Sequence, residues 1–334
     1  MRIDIHTHFL PRNCFDAVDN NGRHYGPTIA IDEKGREEVI SGGISGGPIA
    51  RQLWDPETRI KDMDAAEVDV QVLLPVPSLL YYNLDAEACL WFSRRQNDGI
   101  ARVASEYPTR FLGLATVPLQ EPSTALAELD RAINKLELRG VEILSNINGR
   151  QLDALELMPF YKEVEALDVP VFIHPLSFEA ARHEKMKKYY LANLVGNPLD
   201  TTLAAAHLIF GGVLEKFPGL KFCLAHGGGN LPYIRGRIEH GYQVRPECKV
   251  VIRRPPSYYL PLMYFDTVTH FLPALEYLVV SVGASKVMMG TDYPYDMADS
   301  LPVLTVRSLE NICEDDKQLI MGGNASRLFK LEAS

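Results

Sequence analysis

The chain has 334 residues, 46% hydrophobic and 23% charged, an ordinary globular composition with length enough for one large α/β barrel or two smaller domains and for a big core. A formal charge of −9 argues against a surface that neutralises phosphates, so nucleic acid is excluded as a general partner. The five cysteines (Cys14, Cys89, Cys223, Cys248 and Cys313) form no C-x-x-C pair, no secretory leader is evident, and no run approaches the ~20 apolar residues that span a bilayer; a cytoplasmic protein that does not enter the membrane is expected.

The first predicted strand, 2–6, leads into Asp4-Ile5-His6-Thr7-His8. Alternate side chains of a strand share a face, so His6 and His8 project together and can hold one divalent ion. Glycine-rich, irregular sequence then interrupts the rhythm, and an insertion of about 12–50 carrying a small β-flap is expected. Further short β-branched runs follow at 70–74, 111–117, 140–144, 170–174, 221–226, 263–267 and 287–292. Helical periodicity fills 86–106, 123–136, 153–166, 199–216, 231–242 and 273–282, while 249–261 is irregular and the chain beyond 305 reads as terminal helices. Eight near-continuously apolar strands alternating with helices predict an α/β fold, a (β/α)8 TIM barrel formed by residues 1–334 as a single domain. A doubly wound sheet lacks its Gly-x-Gly-x-x-Gly turn.

In such a barrel the active site forms where the strands end. The fifth strand ends on His174-Pro175, the sixth on His226-Gly227-Gly228-Gly229 and the eighth on Asp292-Tyr293-Pro294. His6, His8, His174, His226 and Asp292 are therefore expected at one mouth. Imidazoles with one carboxylate suit Zn²⁺ first, and also Mn²⁺, Fe²⁺ or Co²⁺. Three histidines and Asp292 leave an open position for water, and the His226 imidazole is suited to take a proton from it and later return it. The glycines after His226 allow close substrate approach and equally serve a tight turn.

These residues carry a resemblance. Arg2-Ile3-Asp4-Ile5-His6-Thr7-His8-Phe9-Leu10-Pro11, Trp54-Asp55-Pro56 with Arg59 and Met63-Asp64, Val117-Pro118-Leu119-Gln120, His174-Pro175, Ala225-His226-Gly227-Gly228-Gly229, Gly236-Arg237 and Gly290-Thr291-Asp292-Tyr293-Pro294 stand in order up to Gly323-Asn324-Ala325. The set resembles the amidohydrolase superfamily and, more narrowly, the aminocarboxymuconate semialdehyde decarboxylase family. The resemblance implies a zinc-dependent, non-oxidative decarboxylase of a small carboxylated aromatic or muconate semialdehyde-like acid. It implies His6, His8, His174 and Asp292 as ligands of one ion, His226 as the base that activates its water, and Asp292 as an aid to proton return. It also implies a homodimer in which Arg237 reaches the neighbouring subunit's substrate; a helix-surface salt bridge is the alternative for that residue.

Several positions depart from the family pattern. Gly47 stands where the family places a substrate-carboxylate arginine, and Arg51, four residues nearer Trp54, is either its replacement or a solvated loop residue. Leu176, Tyr189 and Asn193 replace expected tryptophans, so the pocket is rebuilt. Glu142 replaces glutamine on the fourth strand and invites a second ion, but His183, His207, His240 and His270 fall in helices or loops and one metal is expected. Asp266 reads as a buried hydrogen-bonding residue. The metal centre alone does not separate a decarboxylase from a hydrolase or hydratase acting on an amide, lactone or C–C bond, and a non-enzymic binding barrel would close its coordination shell.

Overall fold

The computed structural model describes all residues except 21, 32, 36, 42–43, 49–50, 177–183 and 332–334, so His183 lies outside the described residues. Its strands are β1 (Ile3–His8), β2 (Thr28–Ile31), β3 (Glu37–Ser41), β4 (Ile44–Pro48), β5 (Val70–Leu74), β6 (Phe111–Gly113), β7 (Val141–Leu144), β8 (Pro170–His174), β9 (Lys221–Leu224), β10 (Tyr264–Asp266) and β11 (Val287–Met288). β1, β5 and β6 pair in parallel, as do β7 through β11. Parallel bridges at Ala115–Val141 and Thr7–Tyr293 join the two runs. The first seam is held by Ala115 N donating to Gly140 O (2.9 Å), and the second by His8 N donating to Tyr293 O (2.7 Å). The eight strands thus close into the expected (β/α)8 barrel. Between β1 and the first long helix, β2, β3 and β4 form a separate antiparallel sheet, with Gly47 in β4.

Both faces of the barrel strands are buried, which is why they read as unbroken apolar runs. Val171, Ile173, Phe222 and Leu224 pack outward in one cluster with Phe160 and Tyr161 of the helix Met158–Leu167. Phe172 and Cys223 pack with Ile3, Ile5, Val72 and Met288 in another. Helix starts follow local chemistry: Asp55 accepts from Glu57 N at the start of Pro56–Ala65, with Pro56 in the first turn, and Asp85 caps Ala86–Glu106. The helix expected over 199–216 is two, Asn197–Phe210 and Val213–Lys216, because Gly212 turns left-handed at φ +74°. Regular strand ends earlier than expected at Gly113, Leu224 and Met288, so His226 and Asp292 lie on the loops just beyond β9 and β11.

Candidate metal centre and active site

The ligand strand carries an irregularity that the sequence does not announce. Asp4 pairs with Gln71 and Thr7 with Leu73, so three steps of β1 oppose two of β5. This bulge shifts the facing of the side chains beyond it. Ile3 and Ile5 pack inside with Phe172, and the His6 ring still lies against that same Phe172, centroids 4.8 Å apart.

His6, His8, His174 and Asp292 converge so that one ligand atom from each lies within 4.8 Å of every other, and all four are buried. Asp292 Oδ1 stands 3.3, 3.1 and 4.0 Å from the Nε2 atoms of His6, His8 and His174. Each ring's other nitrogen is occupied. Nδ1–H of His6 donates to Asp266 Oδ2 (2.7 Å), that of His8 to Pro75 O (3.1 Å) and that of His174 to Pro175 O (2.7 Å). Those bonds fix the tautomer and turn three Nε2 lone pairs to one point. His174 Nε2 is buried with no hydrogen-bond partner among the described residues. Burial pushes His8 and His174 down in pKa, His174 well below its usual range with help from the adjacent imidazoles, which keeps both in the neutral, ligating form. Burial would raise Asp292, but His6 and the contacts from His226 and His8 outweigh it and hold the carboxylate ionised. The donor set therefore fits one divalent ion of the zinc or manganese type.

His226 stays outside that ligand group. Its Nε2 is 3.4 Å from Asp292 Oδ2, its Nδ1 is buried without a partner among the described residues, and its backbone turns at φ +55°. Asp266 behaves as the hydrogen-bonding residue read from the sequence: it holds His6, and it accepts from the backbone N–H groups of His226 (2.9 Å) and Gly227 (2.7 Å). The three glycines serve the turn, since Gly227, Gly228 and Gly229 all have positive φ and a Cβ on Gly229 would stand 2.1 Å from Pro198 O. His226, Asp292, Gly227 and Gly229 line a cavity of about 630 Å³, with His270 and Asn193 on its wall.

Other expected positions disperse. Arg51 is exposed, its guanidinium 5.9 Å from the Trp54 ring, and Arg237 is exposed on the helix Leu231–Val244; neither lines the cavity. Leu176 packs on the core and Tyr189 is 81% exposed, so Asn193 alone of the three altered aromatic positions reaches the cavity.

Arg59 has a larger part than its place in a motif suggests. Wholly buried, it donates to His8 O (2.7 Å), Thr7 Oγ1 (2.8 Å), Gln52 O (3.0 Å) and Gln71 Oε1 (3.2 Å). Its guanidinium also lies 4.7 Å from the ring of Tyr293, whose hydroxyl donates to Asp62 (2.7 Å). It locks the ligand strand to the Asp292 loop. Arg59→Met is expected to weaken metal retention by roughly 10- to 100-fold, the usual effect of removing support behind a ligand, as read by chelator competition. An unchanged metal affinity would reduce Arg59 to a packing role.

Residues 3–331 match the amidohydrolase family. A 2-amino-3-carboxymuconate-6-semialdehyde decarboxylase of Dictyostelium discoideum is 38% identical, over 99% of this chain and 92% of that protein. A gamma-resorcylate decarboxylase of Polaromonas sp. is 29% identical over 84% of this chain and 89% of its own. Among solved structures, a 5-carboxyvanillate decarboxylase of Novosphingobium aromaticivorans with bound manganese superposes with a TM-score of 0.83 at 25% identity, covering 99% of this chain and 97% of that one. Kinship runs through the barrel from the ligand strand to the terminal helices, and the chain belongs to the amidohydrolase family, in its aminocarboxymuconate semialdehyde decarboxylase-like branch.

Proposed function

We propose that this protein is a metal-dependent, non-oxidative decarboxylase of a small carboxylated aromatic or muconate semialdehyde-like acid. One observation carries the reading: a four-residue ligand set stands beside a histidine, His226, that is held out of the set, 3.4 Å from Asp292 and open to the cavity. Decarboxylase relatives matching nearly the whole chain support it. Held by His6, His8, His174 and Asp292, an ion for which we propose zinc supplies a Lewis acid that polarises oxygen.

The chain's own residues move the proton. His226 takes it from a water in the cavity and returns it, and Asp292, within reach of His226 Nε2, assists that return. In the net step the bond between carbon and carboxylate breaks and its electron pair stays on the carbon. That carbon takes the proton from His226, CO₂ leaves, and the hydroxide left from the water is reprotonated from solvent, so one proton is consumed for each carboxylate lost. Arg237, exposed on its helix, is proposed to reach the neighbouring subunit's substrate in a homodimer, and Arg51 to meet a substrate carboxylate in place of the arginine missing at Gly47.

The test is a screen of carboxylated aromatics, muconate semialdehydes and simple amides on metal-reconstituted protein, following CO₂ and substrate absorbance together. At least one acid is expected to release CO₂ as it is consumed. Consumption of an amide with no CO₂ from any acid would make the protein a hydrolase.

A further inference from the structure

The turn that carries His226 is walled on two sides by apolar side chains. Leu278 of the helix Leu272–Val282 brings its Cδ2 to 3.6 Å from where a Cβ at Gly227 would stand, and Pro198 of the helix Asn197–Phe210 lies against Gly229. Both helices line the cavity of about 630 Å³ that reaches His226 and Asp292, together with Met297 and Ala274. Buried Val268 and Leu278 form its floor, while Leu194 and Phe271 on its wall are exposed. Among the described residues no lysine, arginine or glutamate lines it. Leu194 belongs to a π-helical turn, Ala192–Gly196, a form that recurs at functional sites. Asn193 on that turn takes up less of the cavity than the tryptophan expected at its place.

The groove is preformed, because hydrogen bonds tie its walls together. Tyr277 donates from its hydroxyl to Pro232 O (3.1 Å) and the Arg235 guanidinium donates to Ser281 O, joining the helices Leu272–Val282 and Leu231–Val244. Asn230 N donates to Thr202 Oγ1 (2.8 Å), and that hydroxyl donates to Pro198 O (2.7 Å), which fixes the third helix. Preformed, mostly apolar cavities of about 300–1,000 Å³ hold ligands of drug size, and a lone carboxylated ring leaves such a space largely unfilled. Large apolar side chains exposed around one cavity call for an occupant. The buried floor and the direct continuity with His226 and Asp292 fit a part of the molecule that is anchored at the ion, not a flat protein face.

We infer that the carboxylated substrate bears an uncharged apolar substituent, an alkyl chain or a second ring, and that this substituent lies in the groove between Leu194 and Pro198 on one side and Ala274 and Leu278 on the other. Removing such a group from water against apolar walls supplies binding energy remote from the reacting bond. A charged end on the same substituent would meet no opposite charge there and would lose its hydration. The inference rests on the substrate class proposed above, but its test does not require turnover.

The experiment is calorimetric binding of benzoate and its 3- and 4-methyl, propyl and pentyl derivatives to the full-length, metal-loaded protein, with 4-(4-carboxybutyl)benzoate as the charged-end control. In one series each added methylene is expected to tighten binding about 2- to 4-fold, so that pentyl exceeds methyl by about 16-fold or more at one site per chain. The charged end should abolish that gain. Ala274→Phe, which fills the groove, and Leu194→Asp, at an exposed position, should each bring the pentyl-to-methyl ratio below about 3-fold while benzoate's own affinity holds. A flat series, no binding of any member, a ratio that survives both substitutions, or the charged control as the tightest ligand would each overturn the groove. Sedimentation of the same samples adds a further check: a changed oligomeric size in Leu194→Asp with the ratio intact would assign the groove to a neighbouring copy and overturn the inference. A methylene gain in a protein that releases no CO₂ from any acid would keep the groove and defeat the decarboxylase reading; CO₂ release with a flat series would do the reverse.

Discussion

His226→Asn is expected to lower CO₂ release by about 10³-fold, within the range that a positioned acid–base group contributes, while metal content and fold persist. Three features make the substitution selective. Asparagine tolerates the left-handed backbone that His226 adopts at φ +55°. The bond from residue 226 to Asp266 is made by the main chain and survives. The ligand group does not include His226, so the ion keeps all four partners. What disappears is an imidazole nitrogen 3.4 Å from Asp292 Oδ2 that can hold and return a proton. The loss should fall on kcat with KM changed little, because substrate contacts elsewhere remain. Initial rates, metal analysis and a thermal melt on one preparation check the three parts. Turnover within a few-fold of the parent would remove His226 from the reaction.

Stripping the metal should have an effect of at least the same size, and reconstitution should reverse it. Three Nε2 atoms and a carboxylate oxygen crowd within 4.8 Å of one another, and a divalent cation among them relieves that crowding of lone pairs. A ligand at a thousandfold excess over its Kd stabilises by about 4 kcal/mol, and at ~2 °C per kcal/mol for a chain of this size the melting temperature should rise by roughly 8 °C on reloading. Protons compete for the same nitrogens. His6 has its pKa raised by Asp292 and Asp266 against the opposing effect of burial, so apparent metal affinity should fall as pH drops through the imidazole range. Activity that survives complete metal removal would contradict the site.

The barrel was legible because parallel strands covered on both faces are short, nearly continuous apolar runs, and the chemistry was legible because ligand-type residues close four of them. What escaped depends on contacts distant in sequence. The bulge in β1 follows from its pairing with β5, more than sixty residues away, and nothing in Asp4-Ile5-His6 marks it. Arg59 looked like any helix arginine until the fold buried it against His8, Thr7 and Tyr293. Asp266 was read as a buried acceptor from its strand, but its double duty toward His6 and His226 required β9 and β10 to be neighbours. β9 and β11 end before the apolar sequence does because the backbone turns left-handed at His226 (φ +55°) and Asp292 (φ +67°), which the local sequence does not mark.

The most direct test uses the acid consumed fastest in the screen, labelled with ¹³C in its carboxylate, and turned over by metal-loaded protein in deuterium oxide. The expected result is ¹³CO₂ in step with substrate loss and a product carrying one deuteron on the carbon that bore the carboxylate. Substrate loss with the label retained in the organic product would contradict non-oxidative decarboxylation and leave a hydrolytic or hydrating enzyme in its place.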